Sequence, residues 1–363
     1  MKSDDLIIQD KLEEVIRYVL QPPAKSNFLI INRTSNDLSE LAEKAATGLG
    51  LKARIFSLDR QGPYYTFPSE LIEEIRSLKY PRAMGFFTYQ DKEWKQKETP
   101  ARVKLIHETI MKTPIGYAHG PGIDRDMILN GAGRADIKKM SHDAEKLLGL
   151  LDGVEKVEIT ASAGTNIDIE IPSELKWKTD CKITPPDVYG NPGNMGNIPM
   201  GEVCIFKRKE VSVAGKKVEY PIRLVGSGTI VCDVCADNID KLIDPARPIR
   251  ISLEGGVLTD FSSEDEDFNV LYEEWKSREA EYKEKDKEEG LKAVLEEFGI
   301  GINNKARILG NLLETEKLAE TIHLAIGHVD SHADFIVSKP TVLVTYKDRS
   351  ERTIMENGNL ILD

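Results

Sequence analysis

The densest group of metal-ligating side chains in this sequence lies in the stretch TIHLAIGHVDSHAD, residues 321–334. In an extended segment, side chains two residues apart point to the same face, about 7 Å from each other. A histidine and an aspartate at that spacing can therefore reach into one site. Imidazole together with carboxylate suits a divalent transition metal, so this stretch is the best candidate for chemistry in the chain.

Two such pairs are present, His328 with Asp330 and His332 with Asp334. Their spacing is identical, so spacing alone does not choose between them. His323 belongs to the strand-like segment TIHLAI, in which apolar residues alternate with it and face the other side. We expect His323 to reach the same site from a neighbouring strand.

The first 150 residues alternate between helical and strand patterns. Helices are predicted over KLEEVIRYVL, LSELAEKAATGLGL and ELIEEIRSL, and strands over FLIINR and ARIFSL. This alternation is typical of βαβ units with a parallel sheet covered by helices. No GxGxxG sequence follows any of these strands, so the dinucleotide fingerprint is absent. We predict an α/β domain over residues 1–150.

After residue 150 the pattern changes to successive strands separated by turn residues, which favours a mostly antiparallel sheet. A long charged helix is predicted from Glu264 to Phe298, with its last turns over LKAVLEEF. On a helical wheel Glu297 lies closer to the apolar stripe of these turns than Glu296 does. We predict a second domain over residues 151–363, of α+β class with an antiparallel sheet and helices.

Composition excludes several classes of function. The net charge of −12 argues against binding of a phosphate backbone, so no nucleic-acid partner is expected. The first residues carry charges where a secretion signal would be apolar, and no apolar run is long enough to span a bilayer. Cys232 and Cys235 form a CxxC on a predicted strand, which favours buried thiols over a metal site because residues three apart face opposite sides. A cytoplasmic protein without a membrane partner is the simplest expectation.

Several segments in order resemble the aminopeptidase T family of metallo-aminopeptidases. They are GYAHGPGIDRDM (116–127), ASAGTNIDIEI (161–171), GNIPMGEVCIF (196–206), EEFGIGIN (296–303) and HADFIVSKPTVLV (332–344). The resemblance covers most of the chain. It implies an N-terminal α/β domain, a C-terminal metal-binding domain, a short peptide as substrate and a homodimer.

The resemblance also implies a set of metal ligands. The first glutamate of the family falls on Glu202, its strand histidine on His323, and its histidine–X–aspartate pair on His332 and Asp334. The PTV sequence that follows favours this second pair over the first. A further glutamate is expected at the end of the long helix, and Glu297 is chosen there.

These ligands imply two divalent ions, zinc, cobalt or manganese, held about 3.5 to 4 Å apart. Such a pair can bind the free amino group, polarise the scissile carbonyl and lower the pKa of a bridging water. A remaining carboxylate acts as general base, and Glu297 or Glu316 is expected in that role.

Two alternatives remain at this stage. Dioxygenases that open the ring of 2,5-dihydroxypyridine resemble the same family, and His323, His332 and Asp334 form the set used by mononuclear Fe(II) oxygenases. The third possibility is a metal-binding member without peptidase activity. It is suggested by the short segment of eight residues between His323 and His332, and by Asp330 where some members have tyrosine.

Overall fold

A computed structural model gives the fold of the chain. It describes residues 3–34, 37–58, 62–78, 82–89, 91–183, 195–213, 216–236, 241–286, 291–329 and 331–363. The chain forms two compact units. The first comprises Met1–His142, Thr179–Gly201 and Asn303–Ala306, and the second comprises Asp143–Lys178, Glu202–Ile302 and Arg307–Asp363. The domain boundary near residue 150 remains a prediction from the sequence.

The described helices range from 4 to 21 residues in length. In chain order they are α1 (Ser3–Glu14), α2 (Leu38–Gly48), α3 (Ser69–Ser77), α4 (Lys92–Glu108), α5 (Arg125–Leu129), α6 (Ile137–Leu151), α7 (Glu266–Asp286) and α8 (Leu312–Thr315). A π-helical segment, Val15–Leu20, continues α1, and 3-10 turns lie at Ile110–Lys112 and Ala132–Arg134. No helix of the described ranges is long and apolar enough to cross a membrane.

The strands are more numerous, and most lie in the second half of the chain. They are β1 (Asn27–Arg33), β2 (Lys52–Leu58), β3 (Arg82–Phe87), β4 (Gly116–Pro121), β5 (Val154–Thr160), β6 (Asn166–Glu170), β7 (Lys178–Thr179), β8 (Met195–Asn197), β9 (Glu202–Ile205), β10 (Arg208–Val213), β11 (Lys216–Pro221), β12 (Val225–Cys232), β13 (Cys235–Ala236), β14 (Lys241–Leu242), β15 (Ile249–Glu254), β16 (Val257–Ser262), β17 (Val294–Gly301), β18 (Thr321–His328), β19 (Ser331–Ser338), β20 (Thr341–Tyr346), β21 (Glu351–Glu356) and β22 (Asn359–Leu360).

The first unit contains a parallel sheet in the order β2-β1-β3-β4-β8. Its central strands are buried along almost their whole length, as expected where helices cover both faces. Leu29, Ile31, Phe87 and Tyr117 belong to the apolar cluster packed against it. The α/β fold with a parallel sheet, predicted from the alternating pattern, is confirmed.

The second unit is built on a large antiparallel sheet. Its main path runs β14-β13-β19-β18-β17-β16-β15-β12-β6-β5-β20-β21-β22. Strands β5 and β6 alternate buried and less buried residues, which is the pattern of a sheet with one covered face. The predicted antiparallel sheet with helices is therefore confirmed.

The prediction of one helix through Phe298 is wrong. Helix α7 ends at Asp286, and Glu297 lies on strand β17. A β-bulge between Leu295 and Glu297 explains the error. The extra residue puts Leu295 and Phe298 on the same side of the strand although they are three positions apart, a spacing that also fits an apolar helix face.

Candidate metal centre

Four strands of the second unit bring acidic and histidine side chains to one face of its sheet. Strand β17 pairs antiparallel with β9 and β18, and β18 pairs antiparallel with β19. Residues directly opposite each other share a face. Each of four predicted ligands lies opposite a small residue: Glu202 opposite Gly301, His323 opposite Gly299, Asp334 opposite Ala325 and His332 opposite Gly327. The site therefore has a floor of short side chains, which leaves room for the long ones.

The other face of the same strands is apolar and fully buried. Phe298, Ile322, Leu324, Ile326 and Phe335 lie there, each with 0% exposure. Close packing on this face restricts the backbone that carries the site. Side chains alternate along β18 and β19, so one set packs in the apolar core and the other set lies at the polar site.

The first ligand group is formed by Glu202, Glu297 and His323. The Nε2 atom of His323 lies 3.5 Å from Glu202 Oε2 and 3.6 Å from Glu297 Oε1. One ligand atom from each residue can be chosen so that all lie within 4.8 Å of one another. All three side chains are buried, so this group has the donors and spacing to enclose a cation.

The second ligand group is formed by Glu297, His332 and Asp334. The Nε2 atom of His332 lies 3.1 Å from Asp334 Oδ2 and 3.6 Å from Glu297 Oε2. Glu297 therefore belongs to both groups and turns one oxygen toward each histidine. Glu297 is thus the residue that the two possible ligand groups have in common.

His332 marks the open side of the site. Its side chain is 32% exposed, against 1% for His323 and 7% for Glu297. The ring of Phe206 lies 6.4 Å from the His332 ring, and Lys178 Nζ lies 3.0 Å from the centre of the Phe206 ring. The partly exposed ring of His332 therefore borders the Phe206 ring and the Lys178 ammonium group.

Lys317 is fully buried and contacts two acidic residues at the edge of the first group. Its Nζ lies 2.6 Å from Glu202 Oε1 and 2.7 Å from Glu316 Oε1. The contact engages one oxygen of Glu202 and leaves Oε2 directed at His323. Sequence reasoning did not single out Lys317, although its place next to Glu316 in the sequence TEK was visible.

The two histidines of the site have raised pKa values. Burial lowers the pKa of His323, but a hydrogen bond to Glu297 and the charges of Glu202 and Asp334 outweigh this and raise the pKa to about 9. Burial opposes protonation of His332 as well, but Asp334 and Glu296 hold its pKa well above the usual range. In the absence of a metal ion, the surrounding carboxylates therefore stabilise the protonated form of both imidazoles. A divalent ion would replace such protons.

The carboxylates differ among themselves. Burial alone would raise the pKa of Asp334, but His332 and His323 lower it to about 2. Burial likewise opposes ionisation of Glu202, and Lys317 and His323 bring its pKa below the usual value. In Glu316, burial together with the nearby Glu202 and Asp334 charges outweighs Lys317 and raises the pKa to about 8.

A test of whether these residues suit a metal comes from buried polar atoms. Among the described residues, Asp334 Oδ1 and His323 Nδ1 are buried without a hydrogen-bond partner. A buried carboxylate oxygen without a partner is costly, and coordination of a cation compensates for that cost. The donor set of imidazole and carboxylate also suits zinc, cobalt, manganese or iron. The residues present therefore fit a metal.

The remaining candidates lie elsewhere. His328 is fully buried on the apolar face, where its Nε2 lies 3.0 Å from the Leu291 carbonyl oxygen, and its ring lies beside Tyr282. Asp330 lies outside the described residues. Cys232 and Cys235 are buried free thiols, and neither belongs to a described ligand group.

Two solved structures share this fold along nearly their whole length. Wild-type AmpT (aminopeptidase T) from Thermus thermophilus matches 99% of this chain and 100% of its own with a TM-score of 0.64 and 13% identity. The 2,5-dihydroxypyridine dioxygenase from Pseudomonas putida KT2440 matches 98% of this chain and 97% of its own with a TM-score of 0.60 and 13% identity.

No known family profile matches the sequence, and no curated protein matches it. At 13% identity the likeness to the two structures shows the fold alone. The resemblance to the aminopeptidase T family is thus supported at the level of the fold. The two structures are named for different reactions, one an aminopeptidase and the other a dioxygenase.

Proposed function

We propose that this chain is a metal-dependent aminopeptidase that removes N-terminal residues from short peptides at a dinuclear site. The observation that carries the proposal is the orientation of Glu297, whose Oε1 faces His323 and whose Oε2 faces His332, each at 3.6 Å. A mononuclear site has no need of a carboxylate shared between two histidines. In a site with two neighbouring cations, each oxygen of Glu297 would bind one of them.

The two ligand groups divide the work of holding the ions. Glu202, His323 and one oxygen of Glu297 would hold the first, and His332, Asp334 and the other oxygen of Glu297 would hold the second. The bound pair, zinc, cobalt or manganese, supplies a polarised carbonyl, an activated water and an anchor for the free amino group.

Glu316 is the residue we assign to proton transfer. Glu297 is occupied as the shared ligand, and Glu296 is held by Arg208. Glu316 is the carboxyl group of the cluster that remains, linked to Glu202 through Lys317. In this role the ionised form of Glu316, which the charge of Lys317 favours, would take a proton from the attacking water and deliver it to the leaving amine.

The polypeptide around the site suits a small substrate. Burial of His323 and Glu297 excludes water from the first group, while the partly exposed His332 lies where a substrate enters. The apolar ring of Phe206 offers a contact for a substrate side chain at this entrance. AmpT has this fold and so does the dioxygenase, so the peptidase assignment depends on the ligand groups. A cytoplasmic homodimer remains our expectation.

The proposal is tested with matched peptides. Metal-loaded protein should hydrolyse unblocked dipeptides to tetrapeptides and leave their N-acetylated forms intact, because acetylation removes the amino group that the site binds. Protein stripped of metal serves as the control and should be inactive toward both. Equal cleavage of blocked and free peptides would contradict the proposal. Oxygen uptake with a dihydroxylated ring compound and a single Fe(II) would favour the dioxygenase instead.

A further inference from the structure

We propose that Glu296 is a positioning residue that fixes the imidazole of His332 for metal binding through Nε2, and that Arg208 fixes Glu296 in turn. The inference rests on the proposed metal site, and it does not depend on which reaction that site performs. The helix predicted from the sequence placed Glu296 far from the apolar stripe, whereas the structure places it on strand β17.

Glu296 is held rigidly between two partners. Its side chain is 1% exposed, and its two oxygens each lie 2.7 Å from a nitrogen of Arg208, Nε and Nη2. Such a two-point contact between a planar guanidinium and a carboxylate fixes the orientation as well as the position of the carboxylate. Glu296 Oε2 also lies 3.3 Å from His332 Nδ1.

The contact at Nδ1 determines what Nε2 can do. When Nδ1 carries the hydrogen and donates it to Glu296, the lone pair of Nε2 is free to bind a metal. This Nε2 is the atom that faces the two carboxylates of the second group, Asp334 Oδ2 at 3.1 Å and Glu297 Oε2 at 3.6 Å. A carboxylate behind a ligating imidazole also raises the basicity of that imidazole.

The backbone is shaped to permit this contact. The bulge in β17 lies between Leu295 and Glu297, so Glu296 is the inserted residue that escapes the usual alternation. On the neighbouring strand β18, Gly327 leaves the space that the carboxylate fills, since a Cβ at that position would overlap Glu296 Oε2. Both irregularities have the same consequence, which is to place the Glu296 carboxylate against His332.

The test measures Co²⁺ binding to metal-free protein by titration and by visible absorption. Glu296→Ala should weaken one of the two Co²⁺ ions by about 10- to 100-fold, the usual effect of losing a carboxylate behind a metal-bound histidine. The other ion, held through His323, should bind as in the parent and shows that the variant is folded. Arg208→Lys keeps the charge, loses the two-point contact and should weaken the same ion by a smaller factor.

Glu314 provides a matched control. It is fully buried and makes the same kind of two-point contact with Arg307, at 2.9 and 3.0 Å. Glu314→Ala should disturb the fold as much as Glu296→Ala does, and it should leave both Co²⁺ affinities unchanged.

Parental affinity for both ions in folded Glu296→Ala and Arg208→Lys would overturn the inference, and so would an equal loss in Glu314→Ala. If Glu296→Ala does not fold, Arg208→Lys decides the question alone. A parent chain that binds no Co²⁺ would overturn the metal site itself, which is a distinguishable result.

Discussion

The imidazole of His323 lies directly over Gly299, its partner on the neighbouring strand. A Cβ at this glycine would overlap the Nε2 and Cε1 atoms of the ring. The position therefore requires glycine for the sake of the histidine, and the ring could not hold its place beside Glu202 and Glu297 if position 299 had any side chain.

Gly299→Ala should expel His323 from the first ligand group. We expect the variant to hold one divalent ion where the parent holds two, as measured by metal analysis after dialysis. Gly149→Ala is the control, because a Cβ there meets no atom within 4 Å. Unchanged metal content in folded Gly299→Ala would show that His323 is not a ligand.

His332 and His328 should respond differently to the same substitution. His332→Ala and Asp334→Ala should each lose metal and keep the fold, because their side chains serve the ion. His328→Ala should keep its metal and lose roughly 1–3 kcal/mol of stability, since the Leu291 carbonyl group loses its buried partner. Metal content and denaturant unfolding separate the two effects. Loss of metal in His328→Ala alone would reverse the assignment.

Lys317→Met should destabilise the metal-free protein by about 3–5 kcal/mol, because it leaves Glu202 and Glu316 buried without their cationic partner. Bound divalent ions should reduce this loss by supplying positive charge at the same place. Denaturant unfolding with and without zinc measures both values. An equal decrease in the free energy of unfolding with and without zinc would show that Lys317 does not interact with the metal site.

Because His119 is buried in the first unit, we expect the stability of the protein to depend on pH. Burial, with a smaller effect of Arg102, holds the pKa of His119 well below the usual value. Below about pH 6.5 the unfolded chain therefore binds a proton that the folded chain rejects, and stability falls as the pH falls. In His119→Gln the decrease in unfolding free energy should be less steep, by up to about 1.4 kcal/mol per pH unit.

Urea unfolding of metal-free protein between pH 7 and pH 5 measures this slope. His142→Gln is the control, because the side chain of His142 is exposed in the folded chain. An unchanged slope in His119→Gln would mean that His119 takes up a proton in the folded state.

The sequence predicted the elements whose pattern is local. Strands β1 and β2 and the antiparallel series after residue 150 follow from alternation and turn residues, and the residues that meet at the site, Glu202, Glu297, His323, His332 and Asp334, were all proposed from sequence and resemblance. Their metal ligation remains a prediction.

What the sequence did not reveal depends on long-range contacts. The bulge in β17 imitated a helical spacing, so Glu297 was placed on the wrong element and Glu296 was turned away from the site. Arg208 and Lys317 acquire their roles only through contacts with residues distant in the sheet or across a turn. No periodicity in the chain encodes such contacts.

The most direct test of the dinuclear site is a count of metal ions in the parent and in Glu297→Ala. We expect two divalent ions per chain in zinc-loaded parent protein after dialysis, and loss from both ligand groups in Glu297→Ala because the carboxylate belongs to each of them. One ion per chain in the parent, retained when Glu297 is replaced, would contradict the account.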